Sequence, residues 1–77
     1  AVPSPEDEVL RRERMERLRA AISALSGGEK NLFYRKYYYM QSTAQIAAEL
    51  GLSERGVEGR LYRLRGRLRR LMGGDEL

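Results

Sequence analysis

Seven arginines stand between Glu54 and Met72, at positions 55, 60, 63, 65, 67, 69 and 70, against two acids, Glu54 and Glu58. A guanidinium is planar, permanently charged and carries five donors, so it grips carboxylates or phosphates and does not move protons near neutral pH. The groups that most enzymes use are missing. With no cysteine and no histidine, the chain has no disulfide framework, no thiolate or imidazole metal site, and no Ser-His or Cys-His pairing. Carboxylates, arginines and hydroxyls remain, without paired acids in a plausible cleft. The chain therefore reads as a binding module and not an enzyme, and no cofactor, metal or small-molecule substrate is expected.

The elements that position these arginines must come from a short chain. At 77 residues it forms at most one domain, residues 1–77, and buries only about 60% of its unfolded surface around a small core of Leu, Ile and Ala. The ordered core is expected over about residues 5–72, with both ends frayed. A net charge of +4 says little by itself, because small soluble domains often carry that much. Its distribution says more. From Ala1 to Lys30 there are six basic and six acidic residues, interleaved as on a solvated helix face, so the positive excess gathers at the other end. No apolar run approaches the roughly 18 residues that span a bilayer, and Ala-Val-Pro-Ser-Pro-Glu-Asp-Glu lacks the order of a secretory signal, so a cytoplasmic location is expected. The terminal Gly-Asp-Glu-Leu lacks the Lys or His of a retention signal.

Helix starts recur along the chain. Ser4-Pro5-Glu6-Asp7 supplies a cap hydroxyl, a proline preset for the first turn and acids at the positive helix end. The apolar positions of the first helix, Leu10, Met15, Leu18, Ile22 and Leu25, follow steps of three and four after a ragged start, and the helix is expected to end at Gly27-Gly28. Ser26 and Glu29 have capping-box spacing for a second helix through Leu32, Phe33, Tyr34, Tyr37 and Tyr38, with Phe33 and Tyr37 as core. Tyr38 or Tyr39 is left to meet a phosphate or a protein partner, or simply to stand at the rim. Ser42 and Gln45 repeat the spacing for a third helix with Ile46, Ala47 and Leu50 on one face. Gly51 ends it, Leu52 folds back onto the core, and Ser53 caps a fourth helix running to about Met72. No segment alternates with period two, and one aromatic run, Phe33 to Met40, would be an isolated and unstable strand. The fold class is all-α: a small four-helix domain with a C-terminal helix-turn-helix.

In a helix-turn-helix the first helix braces the second against the major groove. At about 100° per residue, Val57, Leu61, Leu64, Leu68 and Leu71 fall within a stripe roughly 80° wide that must face the core. The opposite face carries Arg55, Gly59, Tyr62, Arg63 and Gly66, with Glu58 and Arg60 on its flanks. Gly59, at the centre of that face, removes a side chain where a close surface could approach. Arg55, Arg60 and Arg63 lie in the half of the helix that normally meets base edges and phosphates. Arg65, Arg67, Arg69 and Arg70 have a second use, since arginines late in a helix also complement its negative end. Glu58 either accepts from a cytosine amino group, orients an arginine, or pairs with Arg55 or Tyr62 one turn away.

Taken together, Leu18 to Leu71 resembles region 4, the carboxyl-terminal DNA-binding domain of bacterial RNA polymerase sigma factors, most closely of the extracytoplasmic-function group. The resemblance is carried by AAISAL, FYRKYYYMQST, QIAAELGLS and VEGRLYRLRGRLR. It implies a last helix that reads the −35 promoter element, other surfaces that engage the flap of the RNA polymerase β subunit, and in many relatives an anti-sigma factor that covers them. Carried over by position, base reading falls on Arg55, Glu58, Gly59 and Arg63. Contact with the DNA backbone falls on Ser42, Thr43, Gln45, Ser53 and Arg60. Gly56 stands where the family usually has Thr, Glu58 where it has Lys, Gln45 where it has an acid, and Met40 where many members have Gly. Nothing resembles region 2, which melts DNA, so a fragment of a longer sigma factor is expected, able to bind DNA but not to start transcription.

Two other readings compete. The output domain of LuxR-type response regulators has a similar helix-turn-helix, but its usual Lys or Thr-Val-Lys start to the recognition helix is absent here. A basic amphipathic helix docking on an acidic protein or a membrane is the other; the last helix lacks the Trp or Phe such helices favour, and the core already needs its apolar stripe.

Overall fold

Four serines start four helices. The computed structural model describes residues 4–73, folded into α1 (Pro5–Ser23), α2 (Gly27–Phe33), α3 (Thr43–Leu50) and α4 (Glu54–Leu71), with a π-helical turn at Tyr34–Tyr38 continuing α2. No strand occurs among the described residues. Ser4, Ser26, Ser42 and Ser53 each accept a hydrogen bond from a backbone N–H three residues on, which satisfies one orphan donor per helix. At Ser4 and Ser26 the third residue, Asp7 or Glu29, returns the bond to complete a capping box. At Ser42 the bond runs one way only, because no return bond comes from the Gln45 side chain.

The Ser26 box changes where α1 ends. Gly27-Gly28 does not terminate that helix; the two glycines form the first turn of α2, and α1 stops at Ser23 with Ala24 as its cap. Two reciprocal bonds at Ser26 and Glu29, 3.2 and 2.9 Å long, fix the start of α2 and leave three residues for the turn. Glu29 is held below its ordinary carboxylate value by the Ser26 backbone N–H, with help from the Ser26 hydroxyl and the Arg67 charge against partial desolvation. A lowered folded-state value means that this contribution is complete above the ordinary value of 4.5 and is lost as pH falls through the folded-state value. Thermal melts should therefore show a loss of stability as pH falls below 4.5, and that acid-dependent loss should be smaller in Glu29→Gln. Parallel losses in both proteins would contradict this.

One cluster of buried side chains holds the helices together: Ala21 and Leu25 near the α1 end, Leu32 from α2, Ile46 and Ala47 from α3, and Val57, Leu61, Leu64, Leu68 and Met72 along α4. Leu18, Ile22, Phe33 and Leu52 pack at its edge. The α4 stripe is as expected except at its end, where Met72 is buried and Leu71 is exposed; helical geometry stops at Leu71, and the cap residue turns onto the core in its place. Leu50 is also partly exposed at the end of α3. Leu10 and Met15, the ragged start of the apolar series of α1, stay on the surface, because the core begins at Leu18 and the preceding turns extend past it. The outline is accordingly long, 46 × 26 × 18 Å.

Gly51 closes α3 in the left-handed conformation, φ 69°, with its N–H on the Ala47 carbonyl. The Leu52 N–H bonds the same oxygen at 2.9 Å, which aims the chain back toward the core before Ser53 opens α4. Side chains then lock the angles between helices. Arg35 donates to Asn31, Gln41 and Glu49, tying α2 and its π turn to α3. Arg67 lies 3.3 Å from Glu29 and donates to the Ala24 carbonyl, tying α4 to the α1–α2 turn.

Candidate nucleic-acid interface

The outward face of α4 is built by its inward face. With Val57, Leu61, Leu64 and Leu68 buried, helical spacing turns Arg55, Glu58, Tyr62 and Arg63 to solvent, and all four are exposed. Among the described residues, no hydrogen bond or ion pair engages the side chains of Arg55, Glu58, Arg60 or Arg63. The expected alternative partners of Glu58, Arg55 and Tyr62, are therefore not bonded to it. Free charges on a fixed helix are what a charged ligand needs, since no internal pair must be broken to bind it.

Gly59 sits at the middle of this face and is partly covered by the Arg63 side chain, whose Nη1 lies 3.6 Å from where a β-carbon would stand. Arg63 also joins Arg60 at the rim of a cleft of about 580 Å³ between the α2 start, the α3 end and α4, floored by Leu32, Leu50, Leu52 and Leu64. Ser42 and Gln45 are exposed and Thr43 is partly buried at the α3 N-terminus, and Ser53 is exposed at the α4 N-terminus. The Ser42 and Ser53 oxygens are used as caps, yet each hydroxyl proton remains to be donated to an anion drawn by the helix end. The fold thus places Arg55, Gly59 and Arg63 on one helix face, Glu58 and Arg60 on its two flanks, and Ser42, Thr43 and Gln45 on the neighbouring helix start.

Three features escaped sequence reasoning. Arg67 is an internal brace, unlike its neighbours Arg69 and Arg70, whose side chains bond nothing among the described residues. Tyr37 is not core: the π turn, closed by Tyr39 N–H to the Tyr34 carbonyl at 2.8 Å, inserts an extra residue that rotates Tyr37 outward. Its ring stays 5.2 Å from Phe33 and its hydroxyl accepts from Arg65 at 3.4 Å. Tyr38 and Tyr39 are turned out further still, and Met40, 77% exposed, takes a left-handed φ of 57°.

A left-handed residue with a β-carbon costs roughly 1–2 kcal/mol, and glycine removes that cost while adding about 0.5–1 kcal/mol of unfolded-state entropy. Met40→Gly should therefore stabilise the domain by up to about 1 kcal/mol, read as a higher urea midpoint at unchanged slope. A lower midpoint would show that the methionine side chain is held by contacts worth more than the strain.

No helix among the described residues is long and apolar enough to cross a membrane, and no group of acids among them is placed to hold a metal ion. Residues 15–68 match the family described as sigma-70, region 4. The chain is also 33% identical over 73 residues to the RNA polymerase sigma factor CnrH of Cupriavidus metallidurans, an alignment covering 95% of this chain and 38% of that protein.

Proposed function

The chain belongs to the sigma-70 region 4 family, and on that premise we propose that it reads the −35 element of promoters through α4 while bound to RNA polymerase. As a region 4 domain it is a DNA-binding helix-turn-helix of a sigma factor and not an enzyme. The observation that carries the finer reading is the row of unpaired, exposed charges at Arg55, Glu58 and Arg63 around Gly59.

Arginine donates in pairs to guanine O6 and N7, and a carboxylate accepts from the cytosine amino group. Arg55 and Arg63 are the guanine readers in this scheme, Glu58 the cytosine reader, and Gly59 the point of closest approach. Ser42, Thr43, Gln45, Ser53 and Arg60 hold the phosphates and set the register. Surfaces away from the outward face of α4 are left for the flap of the polymerase β subunit, and an anti-sigma factor would cover these surfaces. The chain spans 38% of the length of the sigma factor it matches, and opening of the promoter falls to parts of such a factor outside region 4.

Retention on a randomised duplex pool at two salt concentrations, followed by sequencing, tests this. Enrichment of one short motif with a steep salt slope supports base reading. Retention without enrichment reduces the function to phosphate binding, and no retention at low salt removes DNA as the partner of the isolated chain.

A further inference from the structure

The outward face of α4 is written twice. Gly59-Arg60-Leu61-Tyr62-Arg63-Leu64-Arg65 is followed at once by Gly66-Arg67-Leu68-Arg69-Arg70-Leu71-Met72. Seven residues advance a helix by about 10.5 Å and drift by only about 20° around it, so the two copies share a face. The structure repeats along with the sequence. Arg63 lays its Nη1 3.6 Å from the point where a β-carbon on Gly59 would stand, and Arg70 does the same, at 3.6 Å, over Gly66.

The second copy opens a shallow cleft of about 480 Å³ lined by Tyr62, Arg63, Arg65, Gly66, Arg69 and Arg70. Four arginines line it and no carboxylate does. The Arg69 and Arg70 side chains bond nothing among the described residues. Only Arg65 is engaged, and weakly, with the Tyr37 hydroxyl at 3.4 Å. The fold therefore gathers positive charge around a missing side chain without supplying an anion, while Arg67, between them in sequence, is turned away to brace Glu29.

We propose that this cleft is a phosphate-binding subsite for the DNA backbone, lying one repeat beyond the base-reading unit and extending the footprint past the bases that α4 reads. The inference rests on the DNA-binding reading given above. Two observations favour backbone DNA as the occupant. Arg63 belongs to both units, so the cleft is continuous with the face assigned to DNA. An advance of about 10.5 Å along the helix also carries the second unit away from the bases met by the first, toward the phosphates that flank them. Arginine forks fit phosphate oxygens in pairs, and Gly66 lets the strand approach the helix backbone.

Fluorescence titrations of the chain against the selected duplex and a scrambled duplex, over a range of salt, compare the parent with the doubly substituted Arg69→Ala/Arg70→Ala and Arg69→Lys/Arg70→Lys. The double alanine variant should bind both duplexes more weakly by the same factor. Its log–log salt slope should be shallower by about 0.9 for each phosphate that is no longer neutralised, so by about one to two, with the sequence ranking intact. The lysine variant, which keeps the charge, should recover most of the slope. Because Arg69 and Arg70 also complement the helix end, a variant-free readout accompanies these: phosphate ethylation should block the parent chain at positions beyond the selected motif as well as within it. An unchanged slope, a loss confined to particular bases, or ethylation effects limited to the motif would each overturn the subsite while leaving base reading in place. A parent chain that binds neither duplex would overturn the DNA reading itself, and the subsite with it.

Discussion

Replacing Ile46 by alanine is expected to remove a large part of the domain's stability. Ile46 has no exposed surface and lies in the cluster that joins α3 to α4. Ile→Ala at such sites costs about 2–5 kcal/mol, from lost burial plus the cavity left behind. Domains in general have about 5–15 kcal/mol to lose, and a chain that buries so little surface belongs at the low end. Urea denaturation followed by far-ultraviolet circular dichroism would show the loss, and a change under about 1 kcal/mol would mean that α3 is not what braces α4. The functional consequence is direct, because Arg55 and Arg63 hold a shared geometry only while α4 is pinned by its buried stripe.

The second large effect concerns recognition. Arg63→Ala should cost about 1–3 kcal/mol of binding to the selected duplex, with the loss concentrated at one or two base pairs. Arg63 is free of internal partners and lies over Gly59 at the middle of the outward face, so its removal leaves a base edge unread without disturbing the core. Arg55→Ala should do the same at another base. Arg60→Ala provides the contrast: it should weaken every sequence alike and flatten the salt dependence by about 0.9. Competition binding on duplexes mutated one base pair at a time separates the two patterns. Equal losses on all sequences for Arg63→Ala and Arg55→Ala would remove them from the base-reading set.

The helix starts were legible because capping is local: a serine followed three residues later by an acid states its own hydrogen bonds, and Ser4 and Ser26 made them. The buried stripe of α4 was legible because period 3.6 on an 18-residue helix leaves few other solutions. Residues carried further still, and the resemblance read from FYRKYYYMQST and VEGRLYRLRGRLR is borne out by the family match over 15–68. What stayed hidden depends on tertiary distance. The apolar series of α1 takes in Leu10 and Met15, and nothing in it says that the core stops at Leu18. A glycine pair reads as a helix end until a stronger cap beside it, Ser26, claims both residues for the next helix. Nothing local distinguishes the π turn at Tyr34–Tyr38 from an α turn, so periodicity puts Tyr37 in the core and the extra residue of the turn takes it out. The arginines of α4 look alike in sequence; only the position of Glu29 and the Ala24 carbonyl sets Arg67 apart from Arg69 and Arg70.

The most direct measurement is a nitrogen–proton correlation spectrum of the labelled domain, titrated with the duplex that selection enriches. Base reading by α4 predicts the largest shifts at Arg55, Glu58, Gly59 and Arg63, smaller ones at Ser42, Thr43, Gln45 and Ser53, and almost none along the exposed first turns of α1. Shifts confined to the Tyr38–Met40 surface or to the Leu50 and Leu52 cleft, with the outward face of α4 silent, would contradict it.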